Sequence, residues 1–217
     1  MRLCYLHAFS GISGDMTVGA LADAGADAAA LTEGLGSLGT GATFTLEAAT
    51  RRALAAMKFR VEGGERRKHR HLPQILKMIE ASALPNRAKQ NASNVFQQLA
   101  AAEAHVHGVA IEKVHFHEVG AVDSIADIAG ACLAMELLGI DAVYCSPVNV
   151  GGGTVETEHG TLPVPAPATA RLLEGKPVYS RGPQLELTTP TGAALAVALA
   201  RDFGAMPPMR IRATGQG

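Results

Sequence analysis

A chain of 217 residues that is 47% hydrophobic and 18% charged has enough aliphatic surface for a real core and too little charge to stay disordered. Nineteen basic against twenty acidic residues leave a formal charge of −1, and 4% aromatics without tryptophan argue against a base-stacking platform, so no nucleic-acid partner is expected. The longest uncharged apolar run, Ile128 to Met135, falls far short of the ~18 residues of a crossing helix, so no membrane partner is expected. Met1 to His7 meets a histidine and a glycine loop too early for a signal peptide. Cys4, Cys132 and Cys145 form no Cys-x-x-Cys pair and suit a reducing, cytoplasmic setting.

Leu3 to Phe9 reads as a short buried strand, followed by Ser10-Gly11-Ile12-Ser13-Gly14-Asp15. Asp15 is the expected N-cap of a helix from Met16 to Ala24, which Gly25 closes. Residues 43–47 and 57–61 alternate with period two and predict strands. The basic stretch Gly63 to His71 reads as a loop, and Pro73 fits the first turn of a helix from Leu72 to Ala81. A longer helix follows Pro85 and ends at His107-Gly108. Val114 to His117 predicts a strand. Ser124-x-x-Asp127 resembles a capping box at the start of a helix from Ile125 to Leu138, apolar nearly all round except for Asp127 and Glu136.

Ala142 to Val150 predicts another strand. Gly151-Gly152-Gly153 and the proline-spaced residues 162–167 then read as loops leading to a helix that ends at Gly175. A last helix is expected from Thr189-Pro190 to Gly204, and Ile211 to Gly217 reads as the entry into something further. The alternation predicts an α/β or α+β domain: a mixed sheet with flanking helices and Gly/Pro-rich active-site loops.

Six of the eight histidines fall in three His-x-His pairs. On a strand, residues two apart share a face, so His115 and His117 can reach one ion while Val114 and Phe116 face the core. Glu118 follows, with Asp123 and the helix-borne Asp127 just beyond. A buried carboxylate needs a partner, and a metal or a histidine supplies one. Imidazole and carboxylate donors suit Ni, Zn, Fe or Mn. His105 and His107 diverge on a helix, and either share a ligand where it frays or favour its C-terminal dipole. His69 and His71 lie in the basic loop, where four cations repel a metal; they are a second candidate pair.

Two loops read as anion sites. Ser10, Gly11 and Gly14 precede a helix start and outline a phosphate cradle, although Asp15 would itself repel phosphate without a metal. Thr188, Thr189 and Thr191 offer hydroxyls at another helix N-terminus, with Thr189 and Pro190 also readable as a plain cap. His159, in Glu158-His159-Gly160-Thr161 between a glycine loop and a proline loop, is free to serve as acid, base or ligand.

Phe9-Ser10-Gly11-Ile12-Ser13-Gly14-Asp15-Met16 and the run His115 to Ile125 closely resemble the LarC-type nickel insertion proteins. So do the run His159 to Pro167 and Thr188-Thr189-Pro190-Thr191-Gly192. The resemblance implies insertion of nickel(II) into pyridinium-3,5-bisthiocarboxylic acid mononucleotide, giving the nickel-pincer nucleotide of lactate racemase and related enzymes. It implies consumption of CTP with a divalent metal, Mg or Mn, by a C-terminal half that this chain does not match. The chain is then the N-terminal domain, residues 1–217. Its partners are the mononucleotide, a C-terminal CTP-binding half or subunit and an apo nickel-pincer enzyme, and a homo-oligomer is the expected state. Chemistry suggests a division of labour: His115, His117 and Glu118 carry nickel, and Asp123 or Asp127 orients a histidine. His159 accepts the ring proton, and Thr188, Thr189 and Thr191 hold the substrate phosphate. A nickel metallochaperone or a metal-dependent hydrolase would use the same histidines.

Overall fold

The structure, a computed structural model, describes residues 1–51, 53–64, 70–114, 116 and 121–217. In chain order it forms β1 (Leu3–Leu6), α1 (Gly14–Asp23), α2 (Ala28–Gly36), β2 (Ala42–Arg51), β3 (Leu54–Gly63), α3 (Leu72–Ala81), α4 (Asn86–His107), a 3-10 turn (Ile111–Lys113) and α5 (Val122–Leu137). There follow β4 (Ala142–Cys145), β5 (Val148–Asn149), β6 (Thr154–Thr157), β7 (Gly160–Pro163), α6 (Pro167–Leu172), β8 (Val178–Tyr179), α7 (Pro190–Leu199) and β9 (Ala200–Phe203).

The expected mixture of parallel and antiparallel pairing is found. β1, β4 and β9 make a parallel sheet in the order β1-β4-β9, with Leu3 opposite Ala142 and Leu6 opposite Cys145. β2–β3 and β6–β7 are antiparallel hairpins, and β5 pairs with β8 in parallel. α5 is the central helix. Ile125, Ala126, Ile128, Ala129 and Cys132 are fully buried, as an all-round apolar pattern demands. Around it pack α1, α2, α4 and α7. Arg87 at the start of α4 pairs with Glu136 near the end of α5, so these two helices run antiparallel. No helix among the described residues is long and apolar enough to cross a membrane.

Local chemistry explains where the elements depart from the sequence pattern. Ser13, not Asp15, caps α1: its hydroxyl accepts the Met16 N–H, and Asp15 sits in the first turn, where a carboxylate complements the helix dipole. α2, capped by Asp27, carries no clear apolar stripe in its Ala- and Gly-rich sequence. α5 starts three residues early, at Val122, with Ala121 as its cap. The strand expected over 142–150 is two strands, because Pro147 has no N–H to give. Between the glycine run and the proline run, residues 154–163 form a hairpin that takes in Leu162 and Pro163 of the expected loop. α7 stops at Leu199, because Ala200 to Phe203 are drawn into the sheet against β4; that pairing overrides the helix propensity of the alanines.

Candidate functional site

In a parallel sheet the carboxyl ends of all strands lie at one edge, and open α/β sheets bind ligands there. The loop leaving β1 at that edge runs from His7 to Ser13 into the N-terminus of α1. Ile12 donates its N–H to Leu187 O (3.0 Å) and accepts from Thr189 N–H (3.1 Å), so this loop is zipped to the start of α7. A Cβ on Gly192 would lie 2.0 Å from Ile12 O, and only a glycine lets α7 come so close. Gly11 is fixed twice over, by φ +87 and by Leu187 O, 1.9 Å from where a Cβ would stand. Gly14 sits against Asp127 and Gly130 against Val18, so α1 and α5 run alongside in the same direction. α5 passes Gly14 at Asp127, in its second turn, and the N-termini of α1 and α7 converge on Ile12–Gly14. Their positive dipole ends make this the natural anion-seeking corner of the fold.

Three carboxylates occupy the same corner. Asp127, on α5, accepts the Asp15 backbone N–H. Burial, and then the charges of Asp15 and Asp123, push its carboxyl from 3.8 up to about 8, and the Asp15 N–H pulls the other way. Desolvation wins, and Asp127 is protonated at neutral pH when no cation is near. Asp15 is further held by the Ser13 hydroxyl. Asp15, Asp123 and Asp127, read separately from the sequence, thus share one field. Among the described residues, however, no three His, Cys, Asp or Glu side chains converge closely enough to hold an ion.

His69, His115, His117 and Glu118 lie outside the described residues. What flanks them is informative. Arg70, between His69 and His71 in sequence, forms an antiparallel bridge with Phe116, which stands between His115 and His117. His71 Nδ1 lies 3.1 Å from Val114 O, within hydrogen-bonding distance of that carbonyl. Val114 and Phe116 are both 1% exposed, as the alternation required, and the Phe116 ring meets Phe96 edge-on at 6.3 Å. Arg70 and His71 are thereby tied to Phe116 and Val114, a long-range pairing the sequence could not announce.

The other predicted residues are distributed as follows. His159 lies on the β6–β7 turn, its N–H donating to Thr157 Oγ1 (3.1 Å) and its ring 5.0 Å from that of His107. α4 remains helical through His107, which pairs with Glu103 one turn back, so His105 and His107 do diverge. Thr188 is fully buried and its hydroxyl donates to Asn149 O. The Thr189 hydroxyl caps α7 through Gly192 N–H and bonds the Thr191 hydroxyl. These hydroxyls hold the α7 start in place. Ser10 is exposed.

Asn149 escaped notice in the sequence. It is 4% exposed and ties three loops together: Nδ2 donates to Phe9 O and Arg181 O, and Oδ1 accepts from the N–H groups of Gly151 and Arg181. A polar residue between Val148 and Val150 in a buried strand was the available signal.

The nickel insertion protein family matches residues 4–217. The chain belongs to the nickel insertion protein family. A nickel insertion protein of Geotalea uraniireducens is 49% identical over 220 residues, covering 100% of this chain and 56% of the relative. One of Synechococcus elongatus is 48% identical over 222 residues, covering 100% and 55%. The pyridinium-3,5-bisthiocarboxylic acid mononucleotide nickel insertion protein of Desulfitobacterium hafniense is 45% identical over 218 residues, covering 100% and 54%. The chain thus spans about half the length of the curated relatives it matches. Among solved structures none matches.

Proposed function

We propose that residues 1–217 form the nickel-handling portion of a protein that inserts nickel into pyridinium-3,5-bisthiocarboxylic acid mononucleotide, completing the nickel-pincer nucleotide of lactate racemase-type enzymes. Support comes from the family and from the name of the Desulfitobacterium hafniense relative. Within the chain, the observation that carries the reading is the Arg70–Phe116 bridge, which joins the sequence neighbourhoods of two His-x-His pairs.

In this reading nickel is the cargo. His115, His117 and Glu118 bind it, His69 and His71 add donors to the same ion, and the substrate supplies its own two sulfurs. Few imidazole and carboxylate donors hold nickel(II) loosely enough for release, which a thiolate cage would not. Asp123 or Asp127 orients a histidine, and Asp15 completes the negative field. As the nickel–carbon bond forms, the ring C–H electron pair passes to the metal and its proton must leave; His159 is the acceptor in this scheme. The mononucleotide phosphate is drawn to the corner of Ser10, Gly11 and Gly14 and the Thr188–Thr191 turn. The described carboxylates alone do not make a closed site for Mg or Mn, and no step is assigned to a metal–CTP complex.

The test mixes this chain with the bisthiocarboxylate mononucleotide, nickel and CTP, with and without the remaining half of a longer relative, and reads the nickel adduct by mass. Adduct only when both halves are present supports the proposal. Nickel binding with no adduct under either condition replaces it with a metallochaperone.

A further inference from the structure

We propose that Phe9 and Arg181 extend the phosphate corner into a subsite for a pyridinium mononucleotide, the cationic ring over the Phe9 face and the Arg181 guanidinium joining the Thr188–Thr191 turn at the phosphate. The inference deepens the reading above and rests on it.

Phe9 is 62% exposed, yet its backbone is held by hydrogen bonds to buried groups. It lies at the tip of a turn closed by Gly11 N–H to Ala8 O (3.1 Å). Ala8 is buried; its N–H donates to the Ser146 hydroxyl (2.9 Å) and its carbonyl accepts the Asn149 N–H (3.1 Å). The Phe9 carbonyl accepts from Asn149 Nδ2 (2.9 Å) and from the Tyr179 hydroxyl (3.4 Å). The His7 ring supports the phenyl at 5.3 Å and 50°. Scattered exposed apolar residues need no explanation, but here a buried polar network is spent on presenting a phenyl ring to water.

A ring fixed in this way loses little freedom when another ring stacks on it. Its electron-rich face favours a cationic aromatic over a neutral one, as in cation–π contacts. The same Asn149 side chain also holds the backbone of a residue with a cationic side chain. Arg181 N–H donates to Asn149 Oδ1 (3.1 Å), and Arg181 O accepts from Asn149 Nδ2 (2.8 Å). One buried amide therefore holds the backbones of two residues whose side chains, an aromatic and a guanidinium, are both exposed. The loop carrying Phe9 continues directly into Ser10, Gly11 and the helix starts described above. An aromatic face and a guanidinium carried on adjoining loops match a charged heteroaromatic ring that carries a phosphate.

Calorimetric titration of this chain with nicotinamide mononucleotide tests the proposal. The probe is a pyridinium mononucleotide without sulfur and needs no nickel. Phe9→Ala should raise the Kd by roughly three- to thirtyfold, and Phe9→Trp should keep it within about threefold. Arg181→Gln should weaken the mononucleotide but not the corresponding riboside, and the neutral, reduced mononucleotide should bind less well than the cation. Both positions are exposed, so an unchanged melting curve accompanies each result. Failure of the unmodified chain to bind the probe at millimolar concentration overturns the proposal. So does wild-type affinity in Phe9→Ala, or equal binding of cationic and neutral rings. If the two-half reaction above makes the adduct while Phe9→Ala binds normally, only the subsite falls; if no adduct forms at all, the functional reading falls first.

Discussion

Asp127→Asn should stabilise the metal-free protein at alkaline pH and nowhere else. The wild-type carboxyl has an ordinary value of 3.8 unfolded and is pushed up to about 8 in the fold by burial and by Asp15 and Asp123. Between those values the folded state holds a proton that the unfolded chain has released. The unfolding free energy therefore falls as pH rises, with the contribution intact below about 4 and lost above about 8. At ~1.36 kcal/mol per pH unit the full span corresponds to ~6 kcal/mol, an upper bound; water reaching a partly exposed carboxyl cuts this to about 1–3 kcal/mol. Asparagine keeps the acceptor for the Asp15 N–H and the shape that Gly14 fits against, but cannot ionise. In urea denaturation with chelator present, the variant should match wild type within about 1 kcal/mol at pH 5 and exceed it by about 1–3 kcal/mol at pH 9. That gain corresponds to a rise in Tm of roughly 2–10 °C. Titrating groups remote from Asp127 are common to both proteins and cancel in the difference, and Asp15 and Asp123, which are coupled to it, contribute only through that coupling. A variant equally destabilised at both pH values, or parallel pH profiles, would refute the reasoning.

Gly14→Ala brings a Cβ to 2.5 Å from the Asp127 Cβ and should cost about 1–3 kcal/mol in the same assay. In an Asp127→Gly background the obstacle is gone and the added cost should drop below about 1 kcal/mol; an undiminished cost would show that the two helices do not meet there. Asn149→Ala removes four hydrogen bonds and strands carbonyls of two loops, with an expected loss of about 2–4 kcal/mol and faster proteolysis near Arg181. A loss under about 0.5 kcal/mol would mean that the loops are held by other contacts.

Much of the site was legible because glycine and carboxylate patterns are local signals. Asp15, Asp123 and Asp127 were marked by their places at helix starts, and α1 and α5 bring them together. Gly11 and Gly14 were singled out as a phosphate cradle. Their positions also answer to Leu187 and Asp127, neighbours far away in sequence. The orientation of Val114 and Phe116 toward the core followed from strand alternation. What could not be read was tertiary. The zipper between Ile12 and the α7 start, the bridge from Arg70 to Phe116 and the late strand β9 all depend on partners over forty residues distant. The hairpin of β6 and β7 was hidden because its glycines and prolines resemble a loop, and α2 because alanine and glycine carry little periodicity.

The central claim is that two His-x-His pairs serve one nickel ion. A double-mutant cycle on nickel affinity tests it most directly, using His71→Ala, His117→Ala and the combination, titrated calorimetrically at fixed pH. Each single change should weaken binding about tenfold or more, and the double variant should lose less than the product of the two with one ion still bound per chain. Two independent sites, or a wild-type isotherm in either single variant, would contradict the account.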